Sequence, residues 1–188
     1  MSCRVLVIPE DATYNGYILK PLVERLLVEC GKRNAMVRVL PNSKLVGYES
    51  AKQSIRAVLV DRVTGYDLWL FLPDSDLLDR GKEFAALEDE LAARDVRLLC
   101  CAAVPEVEAW LLAGHPDKFS KNWTTLRQHR RLKEEVFTPF LERYGSRRPG
   151  GGRDLLMREA LQNYRGILAR CPELQALQTR IADLLRRK

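Results

Sequence analysis

The chain has 188 residues, of which 46% are hydrophobic and 30% are charged. This length is enough for one substantial hydrophobic core, and this composition excludes an intrinsically disordered protein. No stretch approaches the roughly 18 apolar residues of a membrane span. The first apolar run stops at Pro9, so we expect a cytoplasmic protein with no signal peptide and no membrane partner. The five cysteines include no Cys-x-x-Cys pair, and we interpret them as buried thiols.

The net charge of +6 is distributed unevenly along the chain. Residues 105–188 contain 17 Lys and Arg against 10 Asp and Glu, a net charge of +7, whereas residues 1–104 carry −1. A basic region of this kind favours a polyanionic partner such as nucleic acid. Solvated helix faces rich in arginine explain the same excess equally well, so charge alone leaves both interpretations open.

The N-terminal part alternates between two patterns. Four short apolar runs, each closed by proline, predict β-strands at residues 3–9, 35–41, 66–73 and 96–105. Amphipathic stretches of helical period at residues 16–31, 49–63 and 81–95 predict helices between them. The sequence therefore predicts an α/β fold, a Rossmann-like and mostly parallel sheet of about four strands flanked by helices.

The strand pattern ends at Pro105. Helices are predicted at residues 106–114, 132–144, 154–169 and 172–187, and residues 145–153 form a glycine-dense basic segment. We therefore divide the chain into an α/β domain at residues 1–114 and a basic C-terminal helical extension at residues 115–188, packed on that domain. The basic segment is interpreted as a flexible linker.

Five carboxylates follow predicted strands: Glu10 after the first, Asp74 and Asp76 after the third, and Glu106 and Glu108 after the fourth. Carboxyl ends of neighbouring parallel strands lie at one edge of a sheet, so these like charges should converge. The immediate segments offer no basic residue, and the arrangement is unfavourable unless a cation is bound. Hard oxygen ligands of this kind suit Mg²⁺, with Mn²⁺ as a substitute.

Each carboxylate also has a structural interpretation. Asp74 fits an Asx turn or a helix cap, and Glu10 fits a solvated turn. Glu106 and Glu108 fit the first turn of a helix, where acidic residues are favourable without any function. Their joint placement at strand ends favours the metal site over these separate explanations.

The motifs resemble those of the Toprim fold, the catalytic domain of topoisomerases, primases and OLD-type nucleases. The similar residues are Glu10 in VLVIPED and Asp74 and Asp76 in LFLPDSD, and VPEVEAWLLAG resembles a segment of small Toprim-like proteins from bacterial defence and mobile-element loci. The tail GGGRDLLMREALQNY resembles that of an uncharacterised family of such proteins. Asp11 stands where Toprim proteins usually have glycine.

The resemblance implies a Mg²⁺-dependent phosphodiester-cleaving centre. Glu10 would be the general acid or base, Asp74 and Asp76 would hold metal, and the glutamate shared with the later segment falls on Glu108, which ranks above Glu106. The candidate catalytic residues are thus Glu10, Asp74, Asp76 and Glu108, and the candidate metal ligands are Glu10, Asp74, Asp76 and Glu106.

The resemblance also bears on partners. We expect DNA or RNA to be held by Arg130, Arg131, Arg147, Arg148 and Arg153 in the basic extension. Some relatives are encoded beside an ABC-type ATPase, so an ABC or OLD-type ATPase is an expected partner. The competing hypothesis is a non-enzymatic adaptor that keeps the fold and docks such an ATPase, and the sequence also leaves self-association into a homo-oligomer open.

Overall fold

A parallel four-stranded sheet forms the centre of the protein. The computed structural model describes residues 3–11, 13–41, 47–59, 64–119 and 122–186. The strands are β1 (Arg4–Pro9), β2 (Met36–Val39), β3 (Leu68–Leu72) and β4 (Leu98–Cys100), in the spatial order β2-β1-β3-β4. On β1, Val7 pairs with Val39 of β2 on one side and with Leu70 of β3 on the other. The predicted α/β fold with a parallel sheet is confirmed.

Helices connect the strands and form the C-terminal part. They are α1 (Asn15–Glu29), α2 (Tyr48–Ser54), α3 (Gly81–Ala92), α4 (Glu108–Leu112), α5 (Trp123–Arg127), α6 (Thr138–Tyr144), α7 (Arg153–Ala160), α8 (Tyr164–Arg170) and α9 (Pro172–Arg186). Wider π-type turns lie at Ile55–Leu59 and Lys133–Phe137, and 3₁₀ turns at Pro116–Lys118, Pro149–Gly152 and Leu161–Asn163. Within the described ranges, no helix is long and apolar enough to span a membrane.

The helix boundaries differ from the sequence prediction in two places. The predicted helix at residues 154–169 is interrupted by the 3₁₀ turn Leu161–Asn163, which separates α7 from α8. The predicted helix at 106–114 is shorter, because α4 begins only at Glu108 and leaves Glu106 in the preceding loop. Residues 60–63 and 187 of two other predicted helices lie outside the described residues.

Strands β3 and β4 and β1 after Arg4 are buried on both faces, whereas the edge strand β2 is partly exposed, and each face of the sheet has its own core. Val5 and Val7 of β1 point into one core, whereas Leu6 and Ile8 point into the other, as the two-residue period of a strand requires. The second core is closed by α2 and α3, for example through Leu87. Near-continuous apolar strands therefore arise because helices cover both faces of the sheet.

The C-terminal helices belong to the first core. Residues of α7, α8 and α9, including Ile167 and Ile181, are buried in one cluster with Val5 and Val7 of β1. The end of α4 and the end of α7 are in close contact, since a Cβ atom on Gly114 would lie 2.4 Å from the Cβ of Ala160. The short helix that begins at Glu108 is thereby fixed against the C-terminal part.

Candidate acidic site

The sheet places four carboxylates at one edge. Glu10 directly follows β1, and Asp74 follows β3 and continues its pairing through a parallel bridge with Ala103. Glu106 and Glu108 follow β4 in the same way, with Glu108 as the first residue of α4. Acidic side chains therefore follow three neighbouring parallel strands and lie at the carboxyl edge of the sheet, as expected.

Backbone amides of neighbouring segments hold three of these carboxylates. Glu10 Oε2 accepts a hydrogen bond from the Asp74 amide at 3.2 Å, and Asp74 Oδ1 accepts one from the Val107 amide at 2.7 Å. Glu106 Oε2 accepts a bond from the Lys133 amide at 2.8 Å. These contacts join the three strand ends and hold one oxygen of each carboxyl group. Asp74 takes part in two of them, so it has a structural role in addition to any role in binding.

Glu108 differs from the other three because its carboxylate has no hydrogen-bond partner. The residue is fully buried, and neither Oε1 nor Oε2 accepts a hydrogen bond from another described residue, although the backbone amide of Glu108 itself lowers the pKa of the carboxyl group. Lys133 Nζ lies 3.8 Å from Oε1, close enough for an ion pair but too long for a hydrogen bond. Buried polar atoms without partners are uncommon in native proteins, because desolvation is then uncompensated.

The pKa values show how strongly these groups affect one another. Burial raises the pKa of Asp74 well above its usual range, and the charges of Glu108, Glu10 and Glu106 raise it further. Burial, followed by the charge of Glu108, raises the pKa of Glu106 to about 7. The pKa values of Glu10 and Glu108 are also raised, mainly by burial. The ionised cluster is therefore electrostatically unfavourable on its own, and a cation would relieve the repulsion.

Asp76 lies at the exposed rim of this site. It adopts a left-handed backbone conformation with φ of 51°, and Leu77 follows with φ of 61°. The turn is held by Ser75, whose Oγ donates to the Pro105 carbonyl at 3.2 Å. The charge of Asp76 helps to raise the pKa of Glu10, which places Asp76 next to Glu10. Two consecutive non-glycine residues with positive φ are strained and are often found at functional sites.

Arg80 is a site residue that the sequence reasoning missed. Its guanidinium lies 3.6 Å from the ring centroid of Tyr48, and it contacts Asp76 with Nη2 3.5 Å from Oδ2. Its side chain is only 10% exposed, and Nε has no hydrogen-bond partner. The positive charge lowers the pKa of Glu10, although burial outweighs this effect. The expectation that the immediate segments lack a basic residue was therefore wrong, since Arg80 is four residues after Asp76.

Two further cations reach the site from the C-terminal part. Lys133 approaches Glu108, and Arg153 is close enough that both lower the pKa of Glu108 against the effect of burial. Arg153 is 9% exposed, and its guanidinium lies 4.6 Å from the Tyr14 ring centroid and 5.2 Å from that of Phe137. Arg153 is therefore buried and in contact with two rings, and its predicted contact with nucleic acid stays a prediction.

The other candidate arginines are exposed. Arg147 and Arg148 precede the ordered turn Pro149–Gly152, and Arg130 and Arg131 lie in a separate segment just before Lys133. Arg131 pairs with Glu135 at 3.2 Å. Exposure meets the first requirement for contact with a phosphate backbone. Residues 149–152 of the predicted flexible linker form a tight turn in which Gly150 and Gly151 have positive φ angles.

The donor chemistry of the site suits a divalent cation, although the side chains are not gathered around one point. In the part of the chain that the structure describes, no three Asp, Glu, His or Cys side chains form a group that could hold a metal ion. The charges of Glu10, Glu106 and Glu108 nevertheless all act on Asp74, which places these three carboxylates around it. Their oxygen atoms are the ligands that Mg²⁺ and Mn²⁺ prefer.

Comparisons with protein-family models, curated proteins and solved structures found no match for this chain. The fold and the site therefore define the class only as an α/β protein with a parallel sheet and an acidic edge. The similarity to Toprim proteins rests on the sequence motifs alone.

Proposed function

We propose that this protein is a divalent-metal-dependent nuclease of the Toprim type, which cleaves phosphodiester bonds in DNA or RNA at the acidic edge of the sheet. The observation that supports this proposal is the Glu108 carboxylate, which is fully buried, accepts no hydrogen bond from another residue and raises the pKa of Asp74 and of Glu106 by its charge. A purely structural glutamate would be expected to have its oxygens satisfied. Burial of an unsatisfied negative charge next to Asp74 is understandable if a cation completes the site.

Mg²⁺ or Mn²⁺ would be held by Glu10, Asp74, Asp76 and Glu106. The ion would have to draw these side chains together from their present positions. When bound, it would polarise a phosphoryl oxygen of the substrate and favour attack on phosphorus. Mg²⁺ commonly takes only one or two carboxylates and keeps water or substrate oxygens in its remaining positions, so an incomplete set of protein ligands fits this role.

The protein's own side chains would supply the remaining steps. Glu10, with a raised pKa, would transfer a proton to or from the reacting oxygen. Arg80, whose Nε lacks a partner at the rim of the site, would stabilise negative charge that develops on the phosphoryl group. The negative charge of Glu108 would attract the cation from the buried side of the site, and Lys133 would partly balance that charge.

The cellular context of the proposal follows from the resemblance. We propose a cytoplasmic enzyme of a bacterial defence or mobile-element locus that acts with an ABC or OLD-type ATPase. The exposed Arg130, Arg131, Arg147 and Arg148 would contact phosphates of the substrate.

A catalytically inactive adaptor is the second candidate function. It is favoured by the lack of a preformed ligand group among the described residues and by Lys133, which partly neutralises Glu108 without any metal. In an adaptor the fold would be retained and the helices of the C-terminal part would dock the ATPase.

Thermal unfolding with and without metal separates the two functions. Binding of Mg²⁺ or Mn²⁺ at 100 times its dissociation constant stabilises the folded state by about 2.7 kcal/mol, which for a chain of this size raises Tm by roughly 5–10 °C. The shift should be lost in Asp74→Asn and retained in the control Asp89→Asn, which alters an exposed aspartate of α3. If the wild-type Tm does not respond to either ion, the nuclease proposal fails and the adaptor is favoured.

Turnover tests the assignment of Glu10. Glu10→Gln keeps the size of the side chain but removes proton transfer, so we expect cleavage to fall by about 10² to 10⁴ with little loss of substrate affinity. Cleavage at the wild-type rate would show that Glu10 is only a turn residue.

A further inference from the structure

A basic groove lies beside the acidic site. It has a volume of about 500 Å³ and is formed by the first turns of α1, the 3₁₀ turn Pro149–Gly152 and α7. Its lining includes three cationic side chains and one aromatic ring, namely Lys20, Arg148, Arg158 and Tyr17. Asp154 is the acidic member of the lining, so cationic side chains outnumber it.

The positive charge of the groove is only partly compensated. Arg158 is paired with Asp154 at 3.1 Å and lies 4.0 Å from Glu24, whereas Lys20 and Arg148 are exposed. The 15-residue helix α1 begins beside the groove without a side-chain cap and without an acidic residue in its first turn. The N-terminal end of this helix therefore adds to the preference for an anion.

Aromatic and apolar surface forms part of the groove. A Cβ atom on Gly150 would lie 2.5 Å from the Tyr17 ring, and Gly150 has a φ of 71°. Only glycine allows the turn to approach the ring so closely in this conformation. Tyr17 remains partly exposed, and the neighbouring Leu155 is 49% exposed. The groove thus presents a ring surface next to its cations.

Two contacts connect the groove with the acidic site. Thr13 lines the groove three residues after Glu10, and its amide donates to Asp11 Oδ1 at 2.7 Å. Arg153 Nη1 donates to the Gly150 carbonyl at 2.7 Å, and the same guanidinium lies near Glu108. Arg153 is buried, and its Nε has no hydrogen-bond partner. The groove is therefore linked to the acidic site through residues that adjoin its lining, namely Asp11, which follows Glu10, and Arg153, whose charge acts on Glu108.

We propose that this groove binds a single-stranded segment of nucleic acid, with phosphates on Lys20, Arg148 and Arg158 and a base against Tyr17. Stacking of bases on aromatic rings combined with a basic track is the usual way in which proteins bind single strands. A volume of about 500 Å³ is in the range of sites for one small ligand and fits roughly one or two nucleotides. A base that stacks on Tyr17 must be outside a duplex, so the stacking contact requires a single strand. The inference rests on the proposed function, because it names the form of the substrate that reaches the acidic site.

Binding of labelled oligonucleotides tests the groove without cleavage. Fluorescence anisotropy in EDTA would compare single-stranded DNA and RNA with the matching duplex. Lys20→Ala/Arg148→Ala should weaken single-strand binding at least tenfold at low salt and reduce the slope of log affinity against log salt by about 0.7 per lost phosphate contact. The control Lys82→Ala/Arg165→Ala removes the same charge from exposed positions outside the groove lining and should have little effect.

Substitution of Tyr17 tests the stacking contact. Tyr17→Leu should weaken binding by roughly 5-fold to 100-fold, whereas Tyr17→Phe, which keeps the ring, should bind like the wild type. Circular dichroism and Tm of both variants would show that the turn at Gly150 is intact. Equal binding by Tyr17→Leu and the wild type, with both folded, would overturn the stacking contact.

The outcomes distinguish the groove from the nuclease. Preference for duplex, or equal losses in the groove variant and its control, would overturn the groove inference even if Asp74-dependent cleavage is observed. Single-strand binding that depends on Lys20, Arg148 and Tyr17, in a protein that neither binds metal nor cleaves, would support the groove and remove the nuclease function alone.

Discussion

A fully buried glutamate, Glu108, and a half-buried one, Glu173, differ in how their carboxylates are bonded around α4. Glu173, in the first turn of α9, forms two parallel bonds with Arg127 at 2.9 and 3.0 Å and accepts a third from Trp110 Nε1 at 2.9 Å. Glu108, two residues before Trp110, has no hydrogen bond to either carboxylate oxygen. Helix α4 therefore contains Trp110, which bonds a fully paired carboxylate, and Glu108, whose own carboxylate makes no such bond.

The difference separates a carboxylate with a structural role from one that we propose to be functional. Glu173 holds α9 and α5 against α4 through a paired guanidinium, and each of its oxygens has a donor. Glu108 is more deeply buried, and its nearest cationic neighbour Lys133 is too far for a hydrogen bond. A buried charge without partners destabilises the fold unless a ligand supplies the missing contacts.

The largest effect is expected from Glu108→Gln. Removal of the charge from the centre of the proposed site should lower cleavage by about 10² to 10⁴, in the range of other essential acidic groups. In EDTA the variant should be as stable as the wild type or more stable, because a repelling charge next to Asp74 is removed. Chemical denaturation and single-turnover cleavage measure both quantities, and a marked loss of stability would identify Glu108 as a structural residue.

Glu173→Ala should lower the stability of the fold, which Glu108→Gln should not. It leaves the Arg127 guanidinium without its bidentate partner and the Trp110 indole without an acceptor, so the free energy of unfolding should fall by about 3 kcal/mol. The matched control is Glu135→Ala, which breaks an exposed pair with Arg131 and should cost at most about 1 kcal/mol. Similar values for the two variants would contradict the distinction between the two carboxylates.

The acidic site should also affect how the free energy of unfolding depends on pH, by less than the two substitutions above. The folded-state pKa of Glu106 is raised to about 7 from 4.5, so its contribution to stability is fully present below pH 4.5 and is lost as the pH rises through about 7. Asp74, Glu10 and Glu108 are shifted in the same direction. In EDTA, Glu106→Gln should therefore lose less stability than the wild type between pH 4.5 and 7.5. Parallel curves for the two proteins would contradict this assignment.

The smallest effect is expected from two exposed arginines that contact neither glutamate. Arg130→Ala/Arg131→Ala should leave Tm nearly unchanged, since both residues are exposed and Arg131 makes only a surface pair. If both contact phosphates, the slope of log affinity against log salt should become shallower by about 0.7 to 0.9 per contact. An unchanged slope would show that Arg130 and Arg131 do not contact phosphates and belong to an ordinary solvated surface.

The strand ends were predictable because their signals are local. Apolar runs closed by proline at Pro9 and Pro73 gave the strands, and parallel connections then required Glu10 and Asp74 to share an edge. The confirmed fold class follows from the same reasoning. Helix interruption at Leu161–Asn163 was not predicted, since the apolar period continues through it.

The cations of the site were not predictable in the same way. Lys133 and Arg153 are distant in sequence from Glu108, and their approach depends on how the C-terminal helices pack. Arg153 stands in a glycine-rich basic segment, which is typical of an exposed loop, and only tertiary packing against Tyr14 and Phe137 shows that it is buried. The spacing of four residues between Asp76 and Arg80 is a weak local signal, and it could have been used to predict that Arg80 lies at the site.

The contact between Gly114 and Ala160 has a consequence for how relatives of this protein can be recognised. No side chain larger than hydrogen fits at residue 114, because a Cβ atom there would lie 2.4 Å from the Cβ, 2.6 Å from the Cα and 2.7 Å from the carbonyl oxygen of Ala160. Two of these atoms belong to the backbone, so a smaller residue at position 160 would not remove the clash. Natural variants that preserve the position of α4 should therefore keep glycine at residue 114, although this residue makes no contact with a ligand of the proposed site.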